Sequence, residues 1–476
     1  MSEILEKFIT TANDLIWSNV FIILCISTGL YLSLRTRFLQ VRFLKDMIGQ
    51  LFKENSSDKG VSPFQAFSIA IAGRVGTGNI AGVATAIAMG GPGAVFWMWV
   101  IAFLGSSTAF VEAVLGQIYK VEKDGKFRGG PAYYIEKGMG QKWYAVLFAI
   151  ATMAACALFL PGVQSNSISD GMHGAFGFNR LWIGIALAFF LGMIIVGGVT
   201  RIGKFAEITV SFMAGAYILM AVVIIGLNIN RLQEVVVLIY SSAFGIDATF
   251  GGLFGSAVAW GVKRGIYSNE AGQGTAPHAA AAAATTHPAK QGILQAFSVY
   301  IDTLFVCTAT AFIILFSGKY NVKDGKGGFV VENLPGVEEG PLFTQAAISE
   351  HFSSIGDGFV AIALLFFAFT TALAYYFIAE SNLYYLSKKK VNKVVLWSLR
   401  FVFFASVIYG SVSTGGRAWQ LGDIGVGIMA WLNIIAVIIM HKTALITLKD
   451  YEKQKKEGKN PVFKPEELGI KNTSEW

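Results

Sequence analysis

Three predominantly apolar runs, at 181–198, 205–227 and 359–378, constrain this chain more than any other feature of its sequence. Each comes close to the roughly 20 residues that an α-helix needs to cross the hydrocarbon core of a bilayer. A soluble helical protein with unusually greasy core helices would need charged outer faces on them, and these runs have none. Only 14% of the residues are charged, against about 25% in an ordinary soluble domain. The expected class is an all-α integral membrane protein, with lipid as its main solvent.

Hydropathy and helix breakers mark about eleven spans, at 14–34, 63–89, 94–119, 142–168, 180–198, 204–228, 245–285, 292–316, 356–386, 394–413 and 423–447. Charge placement supports the count independently. Arg35, Arg37, Arg42, Lys45, Lys53 and Lys59 follow the first span, and Lys120, Lys123, Lys126, Arg128, Lys137 and Lys142 follow the third. Arg201 and Lys204 follow the fifth, and Lys388, Lys389, Lys390 and Lys393 the ninth. The intervening loops carry few positive residues, so the positive-inside rule predicts an outer N-terminus and a cytoplasmic C-terminus. The formal charge of +8 is thus a topology signal and not a mark of nucleic-acid binding. Residues 14–34 read as a first span and not as a removed signal peptide, because no basic n-region precedes them. Residues 449–476 read as a solvated cytoplasmic tail, begun by a frayed continuation of the last helix. Cys25, Cys156 and Cys307 lie in apolar runs and fit neither a disulfide framework nor a metal-ligand spacing.

Two spans are interrupted. In the second, Gly73, Gly76, Gly78 and Gly82 surround Arg74, Thr77 and Asn79; in the seventh, Gly265, Gly272 and Gly274 surround Ser268, Asn269, Glu270 and Gln273. Glycine weakens a helix by about 1 kcal/mol each. Unpaired backbone in lipid costs several more, so such segments persist only where they line a cavity or are buried in protein. An unwound stretch offers carbonyls that suit Na⁺ and a half-helix N-terminus whose N–H groups suit a carboxylate. The breaks lie about 190 residues apart, each near the start of a five-span half, which is the expected mark of an inverted-repeat transporter. Spans 2–6 (63–228) and 7–11 (245–447) would be the halves of one transmembrane domain over 1–448, with 14–34 as an added first span. Packing of small residues explains the glycines but not Asn79 or Glu270. Two soluble motifs fail: Gly76-x-Gly78 lacks a glycine at 81, and the phosphate-loop spacing of Gly198 to Lys204 ends on Phe205 where Ser or Thr is needed.

The segment Gly90-Gly91-Pro92-Gly93-Ala94-Val95-Phe96-Trp97-Met98-Trp99-Val100-Ile101-Ala102-Phe103-Leu104-Gly105 resembles the signature of the alanine or glycine:cation symporter family. Gly76-Thr77-Gly78-Asn79-Ile80-Ala81-Gly82 and Ser268-Asn269-Glu270-Ala271-Gly272 are similar to its other motifs, and the likeness spans the whole chain. The resemblance implies Na⁺-coupled, in some members H⁺-coupled, uptake of alanine, glycine or a related neutral amino acid into a prokaryotic cell, with no organic cofactor. It places Thr77 and Gly78 at the substrate carboxylate, and Gln164, Asn269, Glu270 and Gly272 around the rest of the substrate. Asn79 would serve a cation beside that carboxylate. Thr370 and Thr371, with carbonyls of Ala72 and Val75, would hold a second Na⁺. Thr371 and Tyr375 would also border the substrate. Tyr375 stands where family members often have Trp, a change that could admit a longer polar side chain and keeps a glutamine:Na⁺ symporter as the alternative.

Ionisable groups inside spans point to function because burying them is costly. Glu270 lies inside a break and reads as functional. Glu112 has two open readings, a site residue or a brace for the broken helices. Asp302 and Glu380 read as structural, bonded near span ends. Arg74 is a gate residue or a partner for a buried carboxylate, and Lys263 with Arg264 is placed at a cytoplasmic gate or membrane edge. A channel would show a filter repeat and a membrane enzyme a nucleophile or metal set such as His-Glu-x-x-His; neither is present, so transport is the expected class.

Overall fold

The structure is a computed structural model that describes residues 2–51, 60–353, 355–387 and 391–476. Lys53, Lys59 and Lys388 to Lys390 lie outside the described residues. Among the described residues, eight helices are long and apolar enough to cross a membrane: Glu6–Arg35, Gly93–Ile118, Lys142–Phe176, Gly198–Leu227, Pro288–Ser317, Gly356–Leu386, Lys393–Val412 and Gly415–Lys456. Each overlays an expected span. The other three expected segments are helical but shorter. Arg180–Ile195 has 16 residues, and 63–89 and 245–285 are each split in two.

The helices divide by what they face. Gly198–Leu227 turns Ile208, Phe212 and Leu219 outward, as a lipid-facing helix should. Gly93–Ile118, Pro288–Ser317 and Gly356–Leu386 are largely buried and surround the two broken helices. Small residues allow the close approach: a Cβ on Gly105 would lie 2.9 Å from the Ala271 side chain, inside the second break.

Both breaks have local causes. The first broken helix starts with a capping box, in which Gln65 N donates to Ser62 Oγ (3.1 Å) and Ser62 N to Gln65 Oε1 (3.3 Å), with Pro63 in the first turn. Pro63–Arg74 ends where Val75 leaves helical geometry at ψ 87°, and the chain resumes as a π-helical turn, Gly78–Gly82, before Val83–Gly90. The second broken helix, Phe254–Asn269, stops at Glu270, whose φ of +56° is left-handed and uncommon for a residue with a side chain. Gly272 and Gly274, at φ +92° and +81°, carry the chain to the short helix Ala276–Ala282. A parallel bridge between Val61 and Ala283 ties the start of the first broken helix to the end of the second.

Outside the spans the chain is more structured than its polarity suggested. Two small antiparallel hairpins pair Val121–Lys123 with Lys126–Arg128 and Asn321–Lys323 with Phe329–Glu332, so the architecture is not strictly all-α. Leu232–Ala243, read as loop, is a helix that buries Val235, Ile239 and Ala243 on one face. The last helix runs to Lys456, and the residues after it fold back onto the protein. Phe463 N donates to Thr286 O (2.9 Å), Asn472 Nδ2 to Lys137 O (2.9 Å) and Trp476 Nε1 to Gln117 O (2.9 Å). The expectation of a solvated tail is corrected: Phe463 and Ile470 are buried anchors, too sparse in a lysine-rich stretch to stand out as an apolar run.

Candidate functional site

The breaks meet at the centre, and Arg74 links them. It is fully buried and donates through Nε to Asn269 O (2.6 Å) and through Nη1 to Gln295 Oε1 (3.2 Å) and Ser298 Oγ. Its backbone-directed bond makes it a tie between the two unwound stretches. Across the first break, Gly76 N donates to Asn79 Oδ1 (2.8 Å), Thr77 N to Gln164 Oε1 (3.2 Å), and the Thr371 hydroxyl to Ala72 O (2.7 Å) and Val75 O (3.4 Å). The structure therefore brings Ala72, Val75, Thr77, Gln164 and Thr371 together. Thr370 is buried beside them, but its hydroxyl donates back into its own helix, to Phe366 O (3.0 Å) and Phe367 O (2.9 Å).

At the second break, Glu270 accepts from Thr275 Oγ1 (2.7 Å) and lies beside the Tyr375 hydroxyl and Gly73. Gly78 packs against Ser268 and Tyr267. Thr77 Oγ1, Asn269 Nδ2 and Glu270 Oε1 are buried with no protein partner, and a buried polar atom without a partner costs about 1–3 kcal/mol. All three lie on the two facing breaks. Gly272 sits further off, against Ile434 and Thr108, where its carbonyl accepts from Asn433 Nδ2 (3.0 Å). The same Asn433 nitrogen donates to Glu112, and Tyr134 donates to Asn433 Oδ1. Of the two readings of Glu112, the structure supports the brace.

Asp302 is the residue that sequence reasoning misplaced. It is not near a span end but midway along the 30-residue Pro288–Ser317 helix, within the π-helical stretch Tyr300–Cys307. Its carboxylate accepts from Asn79 Nδ2 (2.6 Å), Ser268 Oγ (3.0 and 3.1 Å) and Thr303 Oγ1 (2.6 Å), so it joins both breaks. Its depth within an apolar span was the available signal. Glu380 does lie near the end of its helix, paired with Arg128 at 3.5 Å.

Asp423 was also missed. Arg264 grips it with two parallel bonds (2.9 and 2.8 Å), and Lys263 Nζ lies 2.8 Å from the same carboxylate. These residues line a cavity of about 1020 Å³ that also touches Thr10, Asn13, Glu338 and Glu339. That face carries the N-terminal helix and not the folded-back tail. Trp419 lines the cavity, while Tyr267, with its ring centroid 4.9 Å away, lies on the side of the breaks. Arg264 stands over Trp419 at 4.6 Å.

Comparison with known proteins bears on the fold and the family. A crystallised manganese transporter of Eremococcus coleocola superposes with a TM-score of 0.57 at 13% identity, covering 84% of this chain and 83% of that one, which is a likeness of fold. YrbD of Bacillus subtilis (strain 168), named provisionally as a sodium/proton-dependent alanine carrier, is 58% identical over 99% of this chain and 98% of its own length. GlnT of the same organism, whose name is "Probable sodium/glutamine symporter", is 46% identical over 97% and 94%. The sequence profile of the sodium:alanine symporter family matches residues 2–465, and the chain belongs to that family.

Proposed function

We propose that this chain is a symporter that imports a small neutral amino acid, alanine or glycine, together with Na⁺ by alternating access. The observation that carries this reading is the charge at the breaks. Glu112, Glu270 and Asp302 are fully buried there, and Arg74 is the buried guanidinium among them. Three carboxylates against one guanidinium leave anionic charge that a low-dielectric interior tolerates only with a bound cation or proton. Asp302, with the hydroxyls of Ser268 and Thr303, offers one place for Na⁺; Thr371 with the carbonyls of Ala72 and Val75 offers another. For the amino acid, Thr77 Oγ1 and Asn269 Nδ2 are unused donors suited to a carboxylate, and Glu270 Oε1 is an unused acceptor suited to an ammonium group. Cations that hold both breaks in shape also prepare the substrate site, a reciprocal linkage.

In this reading eleven spans form two inverted five-span repeats behind an added first span. The N-terminus is outside and the 1020 Å³ cavity is an outer vestibule. Tyr267 and Trp419, held by Arg264 and Asp423, bar the vestibule from the site, and Arg128 with Glu380 braces the opposite face. Transport follows when the broken helices shift against the surrounding ones. Kinship to GlnT and the tyrosine at 375 favour glutamine as the second substrate to examine.

The test is uptake of radiolabelled alanine and glutamine into proteoliposomes with and without an inward Na⁺ gradient. Gradient-driven alanine accumulation is the expected result. Accumulation of glutamine alone would move the substrate, and accumulation driven only by a proton gradient would move the coupling ion. Failure of both gradients to concentrate either amino acid would overturn the symporter reading.

A further inference from the structure

A second cavity, of about 360 Å³, lies between the ends of the first and last spanning helices, and no residue of either break lines it. Arg35, Arg37, Arg42, Lys442 and Lys449 line it, with Glu452 as the single carboxylate. That carboxylate is already taken: Arg42 Nη2 donates to it (2.8 Å), and the same guanidinium also donates to Thr36 O and Arg37 O (both 2.8 Å). Among the described residues Arg35 hydrogen-bonds to Tyr31 (3.3 Å), a neutral partner, and to no carboxylate. Arg37, Lys442 and Lys449 make no ion pair among the described residues. The positive-inside rule accounts for cations on this side of the protein; it does not account for their convergence on one hollow without counter-charge.

At the rim of the hollow Ile446 is an exposed large hydrophobic side chain, and Leu34 and Val41, exposed likewise, adjoin the lining residues Arg35 and Arg42 in the chain. Arg35 ends its spanning helix, so the cations sit at the level where a bilayer's headgroups meet its acyl chains. A soluble anion would satisfy the cations and leave the rim in water; a phospholipid satisfies both. Basic pockets between spanning helices near the membrane surface suit anionic headgroups.

We propose that this pocket binds the phosphate headgroup of an anionic phospholipid, whose chains lie along Leu34, Val41 and Ile446 and bridge the first span to the last. The proposal does not depend on which amino acid or ion is carried. It is tested by native mass spectrometry of the full chain released from detergent with equimolar phosphatidylglycerol and phosphatidylcholine. The wild-type chain is expected to retain phosphatidylglycerol selectively. Each Lys or Arg near an anionic surface contributes roughly a fivefold preference, so Arg37→Gln/Lys442→Gln/Lys449→Gln should lower retention by about a hundredfold. Arg201→Gln/Lys204→Gln/Lys393→Gln, which removes equal charge elsewhere, should leave it unchanged. Equal loss in both triple variants, or no selectivity in the wild type, overturns the proposal. Displacement of the lipid by inorganic phosphate or glycerol 3-phosphate at millimolar concentration would assign the pocket to a soluble anion instead. If the triple variant does not fold, Lys442→Gln and Lys449→Gln alone should each show about a fivefold loss, and no loss in either overturns the assignment.

Discussion

Replacing Asp302 by Asn tests the charge argument at its centre. The amide keeps an oxygen for Asn79 Nδ2, and the hydroxyls of Ser268 and Thr303 can turn to accept from its nitrogen. The fold then loses only the difference between charged and neutral hydrogen bonds, about 1–2 kcal/mol in all. The effect on a cation is larger. A monovalent ion about 4 Å from the carboxylate gains about 4 kcal/mol at an effective dielectric constant of 20. At about 1.4 kcal/mol per decade, the loss approaches a thousandfold in affinity, against at most about thirtyfold from weakened hydrogen bonds. The assay is Na⁺ titration of alanine uptake in proteoliposomes, paired with the melting temperature of the same preparation. The expected outcome is a Na⁺ half-saturation raised by at least about a hundredfold in a protein that still folds. A variant that melts close to wild type and responds to Na⁺ at nearly wild-type concentration would refute the assignment of Asp302 to a cation.

Four further outcomes follow from the geometry. Glu270→Gln should raise the KM for alanine by about 10- to 100-fold, through loss of a charged acceptor, with a smaller change in Na⁺ half-saturation; uptake kinetics at saturating Na⁺ check it. Arg264→Gln should destabilise by about 3–5 kcal/mol because Asp423 keeps its buried charge with less compensation, and Arg264→Gln/Asp423→Asn should recover much of that; thermal unfolding of the set checks it. Gly272→Ala should cost about 1–3 kcal/mol, since its φ of +92° disfavours a side chain and Ile434 lies 3.1 Å from the new Cβ; its melting temperature should fall. Lys120, buried in the loop after Gly93–Ile118 between the rings of Phe127 and Trp476, has its amino group pushed down by burial to about 7. Between that value and the ordinary lysine range the unfolded chain binds more protons than the folded one. Stability should therefore rise with pH above 7, and the rise should shrink in Lys120→Met, read as melting temperature from pH 7 to 9.

The sequence by itself determined the class, the approximate place of every long helix, and the two points where helices break. Those properties are local: apolar length decides whether a segment can span a bilayer, and glycines beside Thr77, Asn79 and Glu270 decide where a helix cannot continue. The approach of Thr371 to the carbonyls of Ala72 and Val75 across the first break was legible through family resemblance, as was that of Thr77 to Gln164. Tertiary structure decided the rest. Asp302 was misread as bonded near a span end and Asp423 was not singled out, because the groups that compensate them, Asn79 and Ser268 for one and Lys263 and Arg264 for the other, are far away in sequence. Glu112 acquired its bracing role only when Asn433, 321 positions later, arrived to share it with Gly272. The tail was hidden for a related reason: a few apolar anchors in a polar stretch have no periodic signature long enough to read, whereas Leu232–Ala243 is mostly apolar but, at 12 residues, too short to read as a span. Buried charge depends on partners brought in by packing, and packing is not a property of any single window of sequence.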